Sequence, residues 1–204
     1  PNGASSLAVN LVQGGWGTTY LTGENTYTGT TFVNNGVLRL GSANAIPGGI
    51  GSSGGTSGIS LNGGMIGLEH GDLTRSLGSG VSQLQFTGGG GFAAYRSPGD
   101  TSTTPVVREV NFGGTGAPVI WGANGFIPGG QTLRLGSADG DATVRLVNPV
   151  DLVGGYRQIL VGDSKAAIDA ELAGTLRGSG GVLAKLGHGT LALIGNTPLL
   201  RLNH

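Results

Sequence analysis

The chain has 204 residues, of which 44 are Gly and none is Cys, and its 11 basic residues balance 11 acidic ones. Sparse, balanced charge excludes a basic field for nucleic acid or for an anionic membrane surface. The missing cysteine excludes disulfides and thiolate metal sites. Gly this abundant without a Gly-X-Y period excludes collagen, and 37% apolar residues at regular spacing point to an ordered core. No apolar run is long enough for a membrane helix, and no signal peptide is visible.

In chain order the sequence reads as short strands broken by Gly and Asn turns. Residues 5–12 alternate, with Leu7, Val9 and Leu11 on one face, and Gly14-Gly15 ends the strand. Residues 18–22 form the next strand. Residues 30–33 are β-branched and aromatic, Asn34-Asn35-Gly36 tolerates positive φ as a turn, and residues 37–40 resume extended structure. Further strands are expected at 59–61, 65–68, 81–86, 92–95, 106–112, 118–121, 131–135, 143–146, 151–153, 156–161, 182–185 and 190–194. Residues 166–172 fit helical and strand spacing equally well, and the Gly-rich context favours a strand. Residues 96–105 lack periodicity and contain the turn Ser97-Pro98-Gly99-Asp100, which predicts a projecting loop with Arg96 and Asp100 as its contact residues.

Degenerate repetition runs through the chain. Leu38-Arg39-Leu40-Gly41-Ser42-Ala43 returns as Leu133-Arg134-Leu135-Gly136-Ser137-Ala138, and Ala43-Asn44-Ala45-Ile46-Pro47-Gly48-Gly49 has a variant at 123–130. Gly23-Glu24-Asn25-Thr26-Tyr27-Thr28-Gly29, continuing to Leu38, resembles the second half of the autotransporter-associated β-strand repeat, the passenger-associated repeat of bacterial autotransporters. The first half lies at Gly181-Val182-Leu183-Ala184-Lys185 and on to Thr197. Leu186 departs from the pattern where Gly or Thr is usual, as does Pro198 where Tyr would follow Asn196-Thr197.

Short strands and frequent turns suit a sandwich, a barrel or a solenoid, and the repeats favour the solenoid. The expected fold is all-β: a right-handed parallel β-helix of about ten coils, each of roughly 20 residues, stacked at about 4.8 Å. Leu38, Leu40, Leu133, Leu135, Val144, Leu146, Leu191 and Leu193 would form its inward ladders. Residues 1–204 read as a single domain and one period of a longer array, with an apolar tail at 198–204. Leu193-Ile194-Gly195-Asn196-Thr197 echoes Leu21-Thr22-Gly23-Glu24-Asn25-Thr26 with one residue inserted. The two ends would therefore join covalently in an array or head to tail in a filament. Leu21, Asn25, Tyr27, Leu193, Asn196, Leu199, Leu200 and Leu202 are the candidate self-association residues.

Chemistry is thinly marked. Asp139-Gly140-Asp141 lacks the repeated nonapeptide of a calcium solenoid, and residues 88–91 lack the Lys-Ser/Thr of a phosphate loop. Glu69, His70 and Asp72 read as a solvated turn. Asp163, Lys165, Asp169 and Glu171 read as surface charge, and Trp16, Trp121 and Tyr95 as packing rather than a sugar platform. No catalytic, cofactor or metal residues are assigned. The resemblance implies an extracellular structural or adhesive protein at a bacterial surface, serving as stalk, spacer or filament subunit. Its partners would be itself or neighbouring repeats, and a surface polysaccharide or protein receptor. A carbohydrate-binding or carbohydrate-cleaving β-helix is the alternative, and display of residues 96–105 to a receptor a third.

Overall fold

The computed structural model describes residues 8–51, 55–113 and 116–195. The tail expected at 198–204 and the candidates Asn196, Leu199, Leu200 and Leu202 lie outside the described residues. Within them are nineteen short strands and no helix. In chain order they are β1 (Leu11–Gln13), β2 (Thr18–Leu21), β3 (Thr31–Val33), β4 (Val37–Leu40), β5 (Ile59–Leu61), β6 (Met65–Leu68), β7 (Leu73–Thr74), β8 (Leu84–Phe86), β9 (Gly90–Ala94) and β10 (Val107–Asn111). There follow β11 (Val119–Ile120), β12 (Thr132–Leu135), β13 (Thr143–Leu146), β14 (Val150–Asp151), β15 (Tyr156–Val161), β16 (Ala170–Leu172), β17 (Leu176–Arg177), β18 (Val182–Leu186) and β19 (Leu191–Leu193).

Every strand pairing is parallel and joins successive coils. Sheet A stacks β1-β3-β5-β8 and sheet B stacks β2-β4-β6-β9-β12-β15-β18. Sheet C stacks β7-β10-β13-β16-β19, and sheet D stacks β11-β14-β17. The chain is a β-solenoid. Its third wall changes identity: the A strands end at β8 and the D strands begin at β11, while B runs through both parts.

Inward positions alternate as expected. Leu38, Leu40, Ile66, Leu68, Phe92, Leu133, Leu135, Ile159 and Val161 are buried on sheet B, and Val144 and Leu146 on sheet C. They belong to one continuous apolar cluster extending from Val33 to Leu176. A single coil cannot bury enough apolar surface to offset its ordering entropy, so stability is shared between neighbours. Leu191 and Leu193 depart from the expected ladder: Leu191 is half-buried and Leu193 exposed, because β19 has a strand on one side only. Of residues 166–172 only Ala170–Leu172 form a strand, β16, while 166–169 belong to the turn before it, and β7 and β17, each two residues long, add strands the sequence did not mark.

Coil length varies more than the expected 20 residues. Thr18 lies over Val37, 19 residues on, and Met65 over Gly91, 26 residues on. Gly90 lies beside Leu133, 43 residues on. Turns absorb these differences. Gly36 holds φ 61°, and a Cβ there would strike the carbonyl oxygens of Gly15 and Gly17 in the coil below.

Where wall A gives way to wall D, the core is filled by rings. Phe86 stands edge-on to Phe92, Phe112 and Phe126 at centroid distances of 6.2, 6.2 and 5.6 Å. Trp121 closes on Phe126 at 5.6 Å. Edge-to-face pairs add about 0.5–1.5 kcal/mol each beyond burial. Replacing Phe86 by Ala removes three such contacts and opens a cavity, and should cost about 3–5 kcal/mol, read as a lower urea midpoint. A loss below about 1 kcal/mol would show that the ring cluster does not bind the two parts of the core together.

Candidate functional site

Three features of the surface stand out: the two end coils, a loop-built cleft over sheet C, and an ionic network on the outside of sheet B. At the first end, β1 and β2 each have a neighbour on one side only, β3 and β4. At the other end β18 and β19 pair only with β15 and β16. Residues 11–23 align with residues 183–195 at a constant offset of 172, with the leucine and glycine positions of the coil in common. Leu11, Gly15, Gly17, Thr18, Leu21 and Gly23 correspond to Leu183, Gly187, Gly189, Thr190, Leu193 and Gly195.

The correspondence extends to side-chain bonding. Gln13 Nε2 donates to the carbonyls of Gly15 and Gly17 at 3.0 and 3.2 Å. Its equivalent, Lys185, donates through Nζ to the carbonyl of Gly187 at 2.7 Å. Both ends thus use an amine or amide at the end of the first strand to tie down the following glycine corner.

Residues 11–40 match the passenger-associated-transport-repeat family. The match spans β1 to β4 and about 15% of the chain. It begins ahead of the motif at Gly23 to Leu38, in a stretch where Gln13 and Thr19 stand in place of the pattern's Lys and Leu. No curated protein and no solved structure matches the chain. In the repeat's own coil, Asn25 Nδ2 donates to the carbonyls of Gly23 and Ala45, and the Tyr27 hydroxyl bonds Thr31 Oγ1 at 2.7 Å. Asn25 and Tyr27 therefore bond within the coil stack. Leu21 is half-buried beside Leu40, whereas Val9, Val12, Val182, Leu193 and Ile194 expose their side chains.

The cleft is built by the 96–105 loop on one side and residues 163–168 on the other. The Arg96 guanidinium organises the loop from within, donating to Asp100 Oδ2 at 3.1 Å and to the carbonyls of Ser102 and Thr104 at 3.0 and 2.6 Å. Asp100 in turn accepts the Ser102 amide at 2.9 Å, which holds its carboxyl below the usual carboxylate range. Opposite, buried Asp169 accepts the amides of Ser164 and Thr190 at 2.6 and 2.7 Å. Arg145 and Glu171 line the cleft and belong to a register ladder, Glu109–Arg145–Glu171, with Arg145 bonded to Glu171 at 2.5 Å and Glu109 at 3.2 Å. The space between measures about 630 Å³. The acids at 163–171 are therefore not uniformly surface charge: Asp169 and Glu171 are buried.

Outside sheet B, Glu69 is wholly buried, which corrects its reading as a solvated turn. Arg39 donates to it at 2.6 Å and the Tyr20 hydroxyl at 2.7 Å, while exposed His70 stays 3.9 Å away. The Arg39 guanidinium lies between the rings of Tyr20 and Tyr95, at 4.8 and 4.1 Å from their centroids. Gly67 makes this stack possible, since a Cβ there would lie 2.8 Å from the Tyr95 ring. Trp121 and Tyr95 are buried, as packing requires, but Trp16 is 82% exposed. Asp139 and Asp141 accept hydrogen bonds from within the chain. Among the described residues no group of three His, Cys, Asp or Glu could hold a metal ion, and no helix is long and apolar enough to cross a membrane.

Burial raises the phenol of Tyr95 above its ordinary value of 10.0. The raised value means that the folded state keeps this proton when the unfolded chain has lost it. The contribution is fully present below pH 10.0 and drains away as pH rises beyond it. Urea melts at increasing pH should lose stability at up to about 1.4 kcal/mol per pH unit from this residue, and Tyr95→Phe should flatten that slope. Equal slopes in both proteins would remove Tyr95 as the source.

Proposed function

We propose that the chain is a segment of an extracellular structural β-solenoid that serves as stalk, spacer or head-to-tail filament subunit at a bacterial surface. The observation that carries this reading is the equivalence of the two end coils at the 172-residue offset, down to the Gln13 and Lys185 contacts with their glycine corners. Solenoids stack like on like, because glycine corners and leucine ladders repeat from coil to coil. The winding is right-handed, in keeping with the handedness of parallel crossovers.

Like-on-like joining sets β1 of one copy on β18 of the next and β2 on β19. Since β1 and β2 lie in sheets A and B while β18 and β19 lie in B and C, the second copy is turned by one face about the rod axis. Val9 and Val12 at one end and Val182, Leu193 and Ile194 at the other are covered in the joint. Charge favours it: Glu24 is the one charged residue between positions 8 and 38, whereas the last coil carries Arg177 and Lys185. The same joint, made covalently, extends a stalk. The Glu109 and Glu171 carboxylates are both committed to Arg145, which favours a structural role over carbohydrate cleavage.

Electron microscopy of the 204-residue chain at rising concentration should show thin fibres. A Val12→Lys, Val182→Lys double variant should give isolated short rods with the melting behaviour of the parent, since a charge on an open edge opposes further pairing. Short rods from the parent at every concentration would rule out the filament and leave a covalent spacer.

A further inference from the structure

The outer surface of sheet B has a second row of side chains that the structural role does not use. Thr18, Val37, Met65, Gly91 and Arg134 lie side by side on β2, β4, β6, β9 and β12. Val37 is buried and Met65 packs against it, although both point away from the main core. They are covered because the turn after β12 folds back along the row. Asp139 in that turn accepts hydrogen bonds from Thr18 Oγ1 at 3.2 Å, Tyr95 Oη at 2.9 Å and Ser137 Oγ at 2.5 Å. These bonds outweigh burial and hold its carboxyl below the usual range. Between turn and sheet lies a hollow of about 330 Å³, at the small end of ligand-binding cavities.

Two of its walls are unexplained by folding. Trp16 stands at the rim with 82% of its surface in water, where an indole contributes nothing to the core. Arg134 lines the hollow, is half-buried, and its guanidinium makes no hydrogen bond or ion pair among the described residues, whereas Arg39, the arginine of the matching Leu-Arg-Leu motif, is clamped by Glu69. A half-buried guanidinium without an anion is a poor use of charge unless a ligand supplies one.

We propose that this hollow binds two or three successive rings of an acidic saccharide, since Thr18 and Arg134 lie four strand steps, roughly 19 Å, apart along the sheet. The C–H face of a pyranose lies against the Trp16 indole, which presents a flat apolar surface with little conformational entropy to lose. The hydroxyls of that ring reach Thr18 Oγ1 and the Asp139 carboxylate, and the carboxylate of a later ring in the same saccharide pairs with Arg134 through two parallel N–H donors.

The chain has two tryptophans, one exposed and one buried, which makes its fluorescence a direct readout. A trisaccharide of galacturonic acid should protect Trp16 from acrylamide quenching with a Kd of about 1 mM or tighter, leaving the buried Trp121 emission unchanged. Neutral galactotriose should bind at least tenfold more weakly. Arg134→Gln should erase the preference for the acid and Arg134→Lys should keep most of it, which separates a lost contact from a damaged fold. Trp16→Ala, followed by calorimetry, should lose at least tenfold in affinity for the acidic sugar. No protection at roughly 10 mM trisaccharide, equal affinity for the neutral sugar, or an unchanged preference in Arg134→Gln would overturn the proposal. So would equal protection by inorganic sulfate, which would mark a plain anion site.

Discussion

The hydrogen bonds of this protein run between coils, parallel to the rod axis, and everything else depends on that. Among the described residues no strand exceeds six residues and none bonds to its neighbour in sequence, so each must find its partner one coil away. Parallel register then decides which side chains meet. It sets Leu38 over Ile66, and it equally sets Glu109 beside Arg145 and Arg145 beside Glu171. Inside, register yields leucine ladders. Outside, the same spacing yields ion pairs between residues far apart in sequence.

The ladder constrains strands but leaves turns free. Coils of 19 and 43 residues fit the same sheet because the excess leaves as loops between one wall and the next. The 96–105 loop and the turn around Asp139 are both such departures. Each is held by its own polar centre, Arg96 in one and Asp139 in the other, rather than by the core. Shape on the flank of the rod can therefore change without disturbing its axis.

This division explains what was legible in the sequence. Strands with two inward residues and a clear turn, such as 37–40, 59–61, 65–68 and 143–146, were readable to the residue. β7 and β17 were not, since one leucine each carries no period. Coil length was misjudged because turns have no periodicity to measure. Glu69 looked solvated because its neighbours are His70 and Gly71, whereas its partner Arg39 lies 30 residues earlier. Trp16 and Trp121 were indistinguishable as letters. Only the swap of walls, which draws Trp121 inward against Phe126, separates them. The repeat at 11–21 was hidden by Gln13, which performs the same corner contact as a lysine with a different functional group.

The axial direction of the ladder bonds also decides how such a rod meets force. A pull along the axis loads them in tension, one layer after another, so coils peel away singly from an end instead of shearing together. A released coil of 26 residues, such as that from Tyr156 to Val182, pays out about 90 Å of extended chain at roughly 3.4 Å per residue. The interlocked rings of Phe86, Phe112 and Phe126 tie several coils into a unit that would arrest the peeling midway. A tether made this way lengthens in steps under load and keeps its middle folded.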